Sequence, residues 1–229
     1  MKNIIFIVST LKKSGPIVVL KNIIKYIDLD KYTPIVITLS NESDASEKEY
    51  FENNLDTKII CLGLSRLGGM FFSVKKIKYI LKVLKPNIIH SHGIRADYIN
   101  MNLVEYQNRF STLHNYAFED YKMKFGKIKS FIMIFIHFYL IKKNPSMFIA
   151  CSNSLFNKYK INKNISLRYI QNGVDLEEFY PLKINQNIRN KLSIREDYLI
   201  FISVGSLVKL KDVETTINAF KLFNNVNEN

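Results

Sequence analysis

Residues 85–115 read KPNIIHSHGIRADYINMNLVEYQNRFSTLHN, and their pattern decides the fold. Pro86 and Asn87 open the stretch with a turn, and Ile88-Ile89 reads as the centre of a short buried strand. Arg95 to Tyr106 has room for about three helical turns. Phe110 to Leu113 reads as a second strand. Strand, helix and strand make one βαβ unit, with parallel strands and a right-handed crossover. Each strand ends in histidine: His90 and His92 on the first, His114 on the second. Ligands of open parallel sheets bind beyond the carboxyl ends of the strands. At least two imidazoles are therefore expected to face one crevice. Any one of them alone reads equally well as an ordinary polar residue at a strand end; the pair is what points to a site.

The chain before this unit follows the same alternation. Ile4 to Val8 is a continuous apolar run, as a central parallel strand requires. The loop Ser9 to Pro16 carries Ser14-Gly15-Pro16 and leads into a buried helix with Pro16 in its first turn. A glycine-bearing loop before a helix N-terminus is a natural cradle for an anion or a sugar, because backbone N–H groups point out of it. There is no G-x-G-x-x-G and no Walker lysine, so a dinucleotide or P-loop site is not supported. Pro34 to Leu39 and Lys58 to Cys61 read as further strands. Asn41 to Asp56 is acidic and reads as solvated, Leu62 to Gly69 as a glycine-bearing loop, and Val74 to Leu84 as a lysine-bearing helix.

After His114 the character changes. Tyr121 to Lys143 holds six lysines and no acid around the apolar run Phe131 to Ile141. That run is apolar almost all round, so a buried helix is expected in preference to one lying on a bilayer, which should show a cleaner polar face. Met147 to Cys151 and Ser166 to Ile170 read as strands, with Ser152 as an N-cap between them and Gln171-Asn172-Gly173 as a closing turn. Val174 to Asn190 is polar, broken by Pro181, and reads as a linker. The pattern then restarts: Tyr198 to Val204 reads as a buried strand and Asp212 to Phe223 as a helix. One strand and one helix cannot bury a core alone.

Composition narrows the function classes. The chain has 229 residues and a formal net charge of +13, from 33 Lys+Arg against 20 Asp+Glu. Such a balance suits a phosphorylated ligand, an anionic membrane or nucleic acid, and a Lys-, Ile- and Asn-rich composition also accounts for it. Nucleic acid is disfavoured, because the lysines and aromatics of 121–143 surround an apolar helix, where nucleic-acid binders interleave them on exposed strands. Cys61 and Cys151 give neither metal spacing nor a disulfide framework, which fits a reducing cytosol. The N-terminal apolar run is too short for a signal peptide, and no stretch reaches the roughly 20 apolar residues of a membrane span. Asp28-Leu29-Asp30 resembles a D-x-D metal motif but falls at the amino end of the sheet, as a solvated turn would. The histidines lack metal-ligand spacing, and Ser152 lacks a nucleophile-elbow context. No metal is expected.

Six pieces appear together in one order: the SGP loop at Ser14, NIIHSHGIRAD from Asn87, STLHN from Ser111, ACSNS from Ala150, IQNGVD from Ile170 and SVGSLVKLKDVETTINAF from Ser203. In this the chain resembles family 4 glycosyltransferases of the GT-B fold. The resemblance implies an α/β fold: a Rossmann-like parallel sheet with helices on both faces, followed by a partial second Rossmann-like unit. The domains it implies are an acceptor-side domain over 1–175, a linker over 176–197 and the incomplete start of a donor-binding domain over 198–229. It implies retaining transfer from a nucleotide-sugar to a lipid-linked or glycan acceptor in cell-surface polysaccharide assembly, with no cofactor beyond that donor. By the same resemblance His114 sits at the reacting centre, His92 and Arg95 line the acceptor side, and Gly15, Gly205, Lys209 and Lys211 hold the donor phosphates. Ser206 stands where the family often has arginine; Lys209 is the nearest substitute, although lysine lacks the bidentate fork. The family's paired-glutamate motif lies beyond Asn229, so the chain is expected to be truncated and inactive alone. The expected location is cytoplasmic, peripheral on the inner face of the membrane. A different class remains as the alternative: a non-catalytic basic α/β module that binds an anionic membrane surface.

Overall fold

A computed structural model describes residues 1–65, 69–124, 126–181, 186–205, 207 and 211–227. The chain divides into two units, Met1–Val174 and Asp175–Asn229. The first unit alternates strand and helix: β1 (Lys2–Val8), α1 (Gly15–Lys25), β2 (Tyr32–Thr38), α2 (Lys48–Asn53), β3 (Lys58–Cys61), α3 (Gly69–Leu84), β4 (Ile88–His92), α4 (Ile94–Met101) and β5 (Arg109–Leu113). It continues with α5 (Ala117–Lys124), α6 (Lys127–Lys143), β6 (Phe148–Ala150), α7 (Asn153–Lys163) and β7 (Arg168–Tyr169). The strands form one seven-stranded sheet in the order β3-β2-β1-β4-β5-β6-β7. Every pairing is parallel. This is the Rossmann-like α/β class that the alternation implies.

The register follows from burial. β1 lies inside the sheet, pairing Phe6 with Val36 on one side and with His90 on the other. Its apolar run is continuous because both faces are covered. Ile5, Ile7, Ile37 and Ile89 pack with Ile77, Leu81 and Ile99 from α3 and α4. Phe6, Val8 and Val36 face the other way, onto Leu20, Ile24 and Phe51 from α1 and α2. Leu113, Phe148 and Ala150 extend the core under Leu140, Ile141 and Tyr159.

The helix expected to reach Tyr106 stops at Met101. Arg109, the first residue of β5, accounts for the stop. Its guanidinium donates to the carbonyls of Asn100 at 2.8 Å, Met101 at 3.1 Å and Tyr106 at 2.7 Å. Carbonyls left without a partner at a helix C-terminus are thereby satisfied, and a cation sits where the helix dipole favours one.

The structure corrects two further sequence expectations. Tyr198 to Val204 is not a buried strand: it carries no ladder, and Val204 is 92% exposed. A central parallel strand is buried by partners on both sides, and the described residues of the second unit offer none. That unit instead holds α8 (Gln186–Lys191) and α9 (Val213–Asn227), with Phe201 stacked edge-on against Phe220 and Phe223. The helix over 131–141 is not buried all round either. Only Ser130, His137, Leu140 and Ile141 of α6 are buried, whereas Phe131 is 72% and Phe135 67% exposed. A single helix packed on one side of a sheet can bury only one stripe.

Phe6→Ala should destabilise the first unit by about 3–5 kcal/mol in urea unfolding, as large-to-small changes in a packed core do. Val204→Ala should move the midpoint by less than about 0.5 kcal/mol. Equal losses at both positions would place residues 198–204 in a buried sheet.

Candidate functional site

The order in which strands are added reverses at β1. From β1 the chain builds outward through β2 and β3, then returns to the other side of β1 with β4 and continues to β7. This leaves a crevice beyond the carboxyl ends of β1 and β4, the position where open α/β sheets take ligands. A cavity of about 250 Å³ lies there. Ser9 after β1, Pro16 in α1, Gly93 to Arg95 after β4 and His114 after β5 line it, with Asp120 and Tyr121 from α5 and Met133 and His137 from α6. Gly93 sits at φ +93°, a conformation that side chains rarely adopt, and so turns the chain directly from β4 into α4.

Three imidazoles stack behind the cavity. His90 and His92 are two residues apart on one strand face, with ring centroids 4.5 Å apart. His92 and His114 stack at 5.2 Å, and a ring N–H bridges His92 Nδ1 and His114 Nε2 at 2.9 Å. The His90 ring and the Thr112 hydroxyl are tied at 2.8 Å between Nε2 and Oγ1. Burial lowers the pKa of His90 to about 4, helped by the charge of His114, and burial alone lowers His114 to about 4. His92 is pushed well below its ordinary value, first by burial and then by its two neighbours. All three are neutral at pH 7. His114 thus reaches the cavity uncharged. His92 is buried, is not among the lining residues, and acts on the cavity by holding His114.

The opposite face of the same strands carries a second polar cluster. Asp97 is fully buried, and its Oδ1 accepts from Ser91 at 2.7 Å and from Ser111 at 2.6 Å. Burial raises its pKa to about 7, against the two hydroxyl donors, which lower it. Asn100 donates to Ser91 Oγ and to the Phe110 carbonyl at 3.1 and 2.9 Å. Asp97 Oδ2 lies 3.8 Å from His137 Nε2, and His137 Nδ1 is 2.9 Å from the Tyr121 hydroxyl. Burial lowers His137 to about 4, so at neutral pH its contact with Asp97 is not an ion pair. Burial also raises the Tyr121 phenol, which remains a protonated donor or acceptor at the cavity wall.

The residues singled out from the sequence fall in different places. Arg95 lines the cavity, but its guanidinium reaches away, to Ser40 Oγ at 2.7 Å and the Ser65 carbonyl at 2.8 Å. Gly15 begins α1 beside the lining residue Pro16. A Cβ at residue 15 would meet nothing within 4 Å, so the fold itself does not demand glycine there. Gly205 and Lys211 belong to the second unit, where a Cβ on Gly205 would lie 3.8 Å from the Lys211 side chain. Lys209 and Ser206 lie outside the described residues. Asp97, Asp120, Tyr121 and His137 were not singled out. Asp97 stands in the NIIHSHGIRAD stretch, and a histidine inside an apolar helix was the available signal for His137. Among the described residues no cluster of three or more His, Cys, Asp or Glu is arranged to hold a metal ion.

Comparison with known proteins bears on this geometry. No family model matches the chain. An O-antigen biosynthesis glycosyltransferase, WclY of Escherichia coli, is 27% identical over 221 residues, covering 93% of this chain and 56% of that protein. The chain thus spans about half the length of the curated relatives it matches. Solved structures share the fold. A glycosyltransferase from Rickettsia africae superposes with a TM-score of 0.59 at 17% identity, over 86% of this chain and 51% of that one. Sucrose-phosphate synthase from Thermosynechococcus elongatus gives 0.61 at 13% identity, over 86% and 54%. Anabaena HepE, solved in complex with UDP and glucose, gives 0.57 at 15% identity, over 84% and 50%.

The four histidines of the chain make its stability depend on pH in a defined direction. Unfolded, each protonates near its ordinary value of 6.5; folded, His90, His114 and His137 stay neutral down to about 4. Between those values the unfolded chain binds more protons, so stability should rise with pH. Asp97 acts in the opposite sense, since from 3.8 up to about 7 the folded chain keeps its proton. The histidines outnumber it, so the urea midpoint of the first unit should climb from about pH 4.5 to 6.5. Asp97→Asn should steepen that climb. A flat or falling midpoint would contradict the buried, neutral assignment.

Proposed function

We propose that this chain carries the acceptor side of a nucleotide-sugar-dependent glycosyltransferase acting in cell-surface polysaccharide assembly. The observation that carries the reading is the switch-point cavity with a neutral, buttressed His114 beside the α1 N-terminus. The O-antigen glycosyltransferase relative supports the pathway class, and the neighbour that holds UDP and glucose supports the donor class.

The chemistry demanded of such a site is specific. Transfer builds positive charge on the sugar ring and negative charge on the departing diphosphate. A helix N-terminus offers backbone N–H groups and a favourable dipole to an anion. The open space at Gly15 lets a diphosphate approach that backbone closely. In this reading residues 198–229, with the donor-phosphate candidates Gly205, Lys209 and Lys211, are the start of a donor-binding domain joined through 176–197.

His114 meets the other charge. An imidazolium would repel an oxocarbenium-like centre; an imidazole with its pKa lowered to about 4 does not. It can hydrogen-bond a sugar hydroxyl while His92 fixes the ring. His114 is thus the residue we assign to the reacting centre, with Arg95 and Tyr121 on the acceptor wall and His92 acting through His114. We further propose that transfer proceeds with retention at the anomeric carbon, that it needs no cofactor beyond the donor, and that the acceptor is a glycan on a lipid carrier at the inner face of the membrane.

The test pairs binding with turnover. In NMR titration with UDP-sugars, the imidazole signals of His114 and His92 should shift together, and Gly15→Val should abolish the shift without altering the unfolding midpoint. In a transfer assay His114→Ala should lower kcat by about two orders of magnitude with little change in donor KM, as for a group acting mainly in the transition state. Donor binding that leaves His114 and residues 14–16 unperturbed would overturn the reading.

A further inference from the structure

The α5–α6 pair carries a surface that the cavity does not use. Ile128, Phe131, Ile132, Phe135 and Tyr139 recur at helical spacing along α6, and all are exposed. From Ile128 to Tyr139 the stripe runs about 16 Å at the helical rise. Beside it lies an open groove of about 950 Å³, floored by Phe118, Phe131, Phe135 and Phe138. Lys122, Lys127, Lys142 and Lys163 rim it, and no acid is among its lining residues. The ammonium of Lys122 stands 3.7 Å from the Phe118 ring, and that of Lys163 stands 5.1 Å from the Phe138 ring. Cations are thus held at the edge of an apolar surface, the arrangement a long lysine stem adopts when its head stays in water.

We infer that this face docks on an anionic phospholipid bilayer, with α6 lying in the interface and acyl chain entering the groove. Charge selects the occupant. A hydrocarbon surface bearing phosphates satisfies both the aromatic floor and the lysine rim. A second copy of the chain would set lysine against lysine across a shared axis. No helix among the described residues is long and apolar enough to cross a membrane, so α6 rests on the surface. Its length and the lysines at both ends, Lys127 with Lys129 and Lys142 with Lys143, fit a helix lying flat.

Position gives the contact a consequence. Met133 and His137, on the other side of α6, line the candidate cavity. One helix therefore separates the bilayer surface from His114. Resting on the proposed function, this places an amphiphilic acceptor's carbon chain in the groove side while its headgroup sugar is offered to the cavity.

Vesicle co-sedimentation tests the inference. The chain should bind vesicles of phosphatidylglycerol mixed with phosphatidylcholine, and binding should fall with added salt. Phe131→Glu with Phe135→Glu, and separately Lys122→Glu with Lys142→Glu, should each weaken it by about tenfold or more. Tyr79→Glu, at an exposed apolar position on α3, should not. Circular dichroism should remain unchanged throughout, because all five side chains are at the surface. Equal binding to phosphatidylcholine alone, equal loss with Tyr79→Glu, or a dimer that the phenylalanine pair dissolves while vesicle binding persists would each overturn it. Vesicle binding needs no sugar donor, so its failure leaves the transferase reading intact, and lost turnover with retained binding leaves this face standing.

Discussion

The first unit is arranged around one buried carboxyl. Asp97 enters from α4 and takes hydrogen bonds from Ser91 of β4 and Ser111 of β5, which pair with each other in the sheet. A polar group without water is costly unless hydrogen-bonded, and this register gives Oδ1 two hydroxyl donors. The requirement locks helix and strands of one βαβ unit together. On the opposite face the same register sets His92 beside Thr112, two residues short of the His114 that it stacks on. The geometry of the candidate site is thus tied to a buried carboxyl that itself lines the cavity.

Burial sets the chemistry as well as the position. The strand ends hold three imidazoles in a space that disfavours charge, and each is neutral at the pH where a free histidine begins to protonate. Asp97 is pushed the other way and holds its proton toward neutrality. The histidines at the cavity therefore orient and hydrogen-bond without contributing full charge. A transfer reaction that develops opposite charges on its two parts is served by that neutrality, provided the anion meets fixed donors elsewhere.

Much of this was legible from residues. The parallel sheet followed from apolar runs that alternate with helical periods, and the crevice from histidines at two strand ends. The HSH spacing even carried the two-faced character of β4, since alternate residues point to opposite sides. The pairing of Asp97 with His137 was not legible, because forty positions of chain separate them and no periodicity links a helix after β4 to one after β5. The orientation of α6 was hidden for a different reason. A helix apolar all round does not say which stripe meets the core, and the structure buries the stripe through His137 while leaving the one through Phe131 and Phe135 outside. Residues 198–204 have the pattern of a central strand, yet a pattern supplies no neighbours to pair with.

A crystal structure determined with UDP-glucose tests the central claim most directly. The account predicts a diphosphate against the backbone at Gly15 and a glucosyl ring within hydrogen-bond distance of His114, with the His92–His114 contact kept. Nucleotide bound away from the carboxyl edge of β1, β4 and β5, with the cavity beside His114 unchanged, would contradict it.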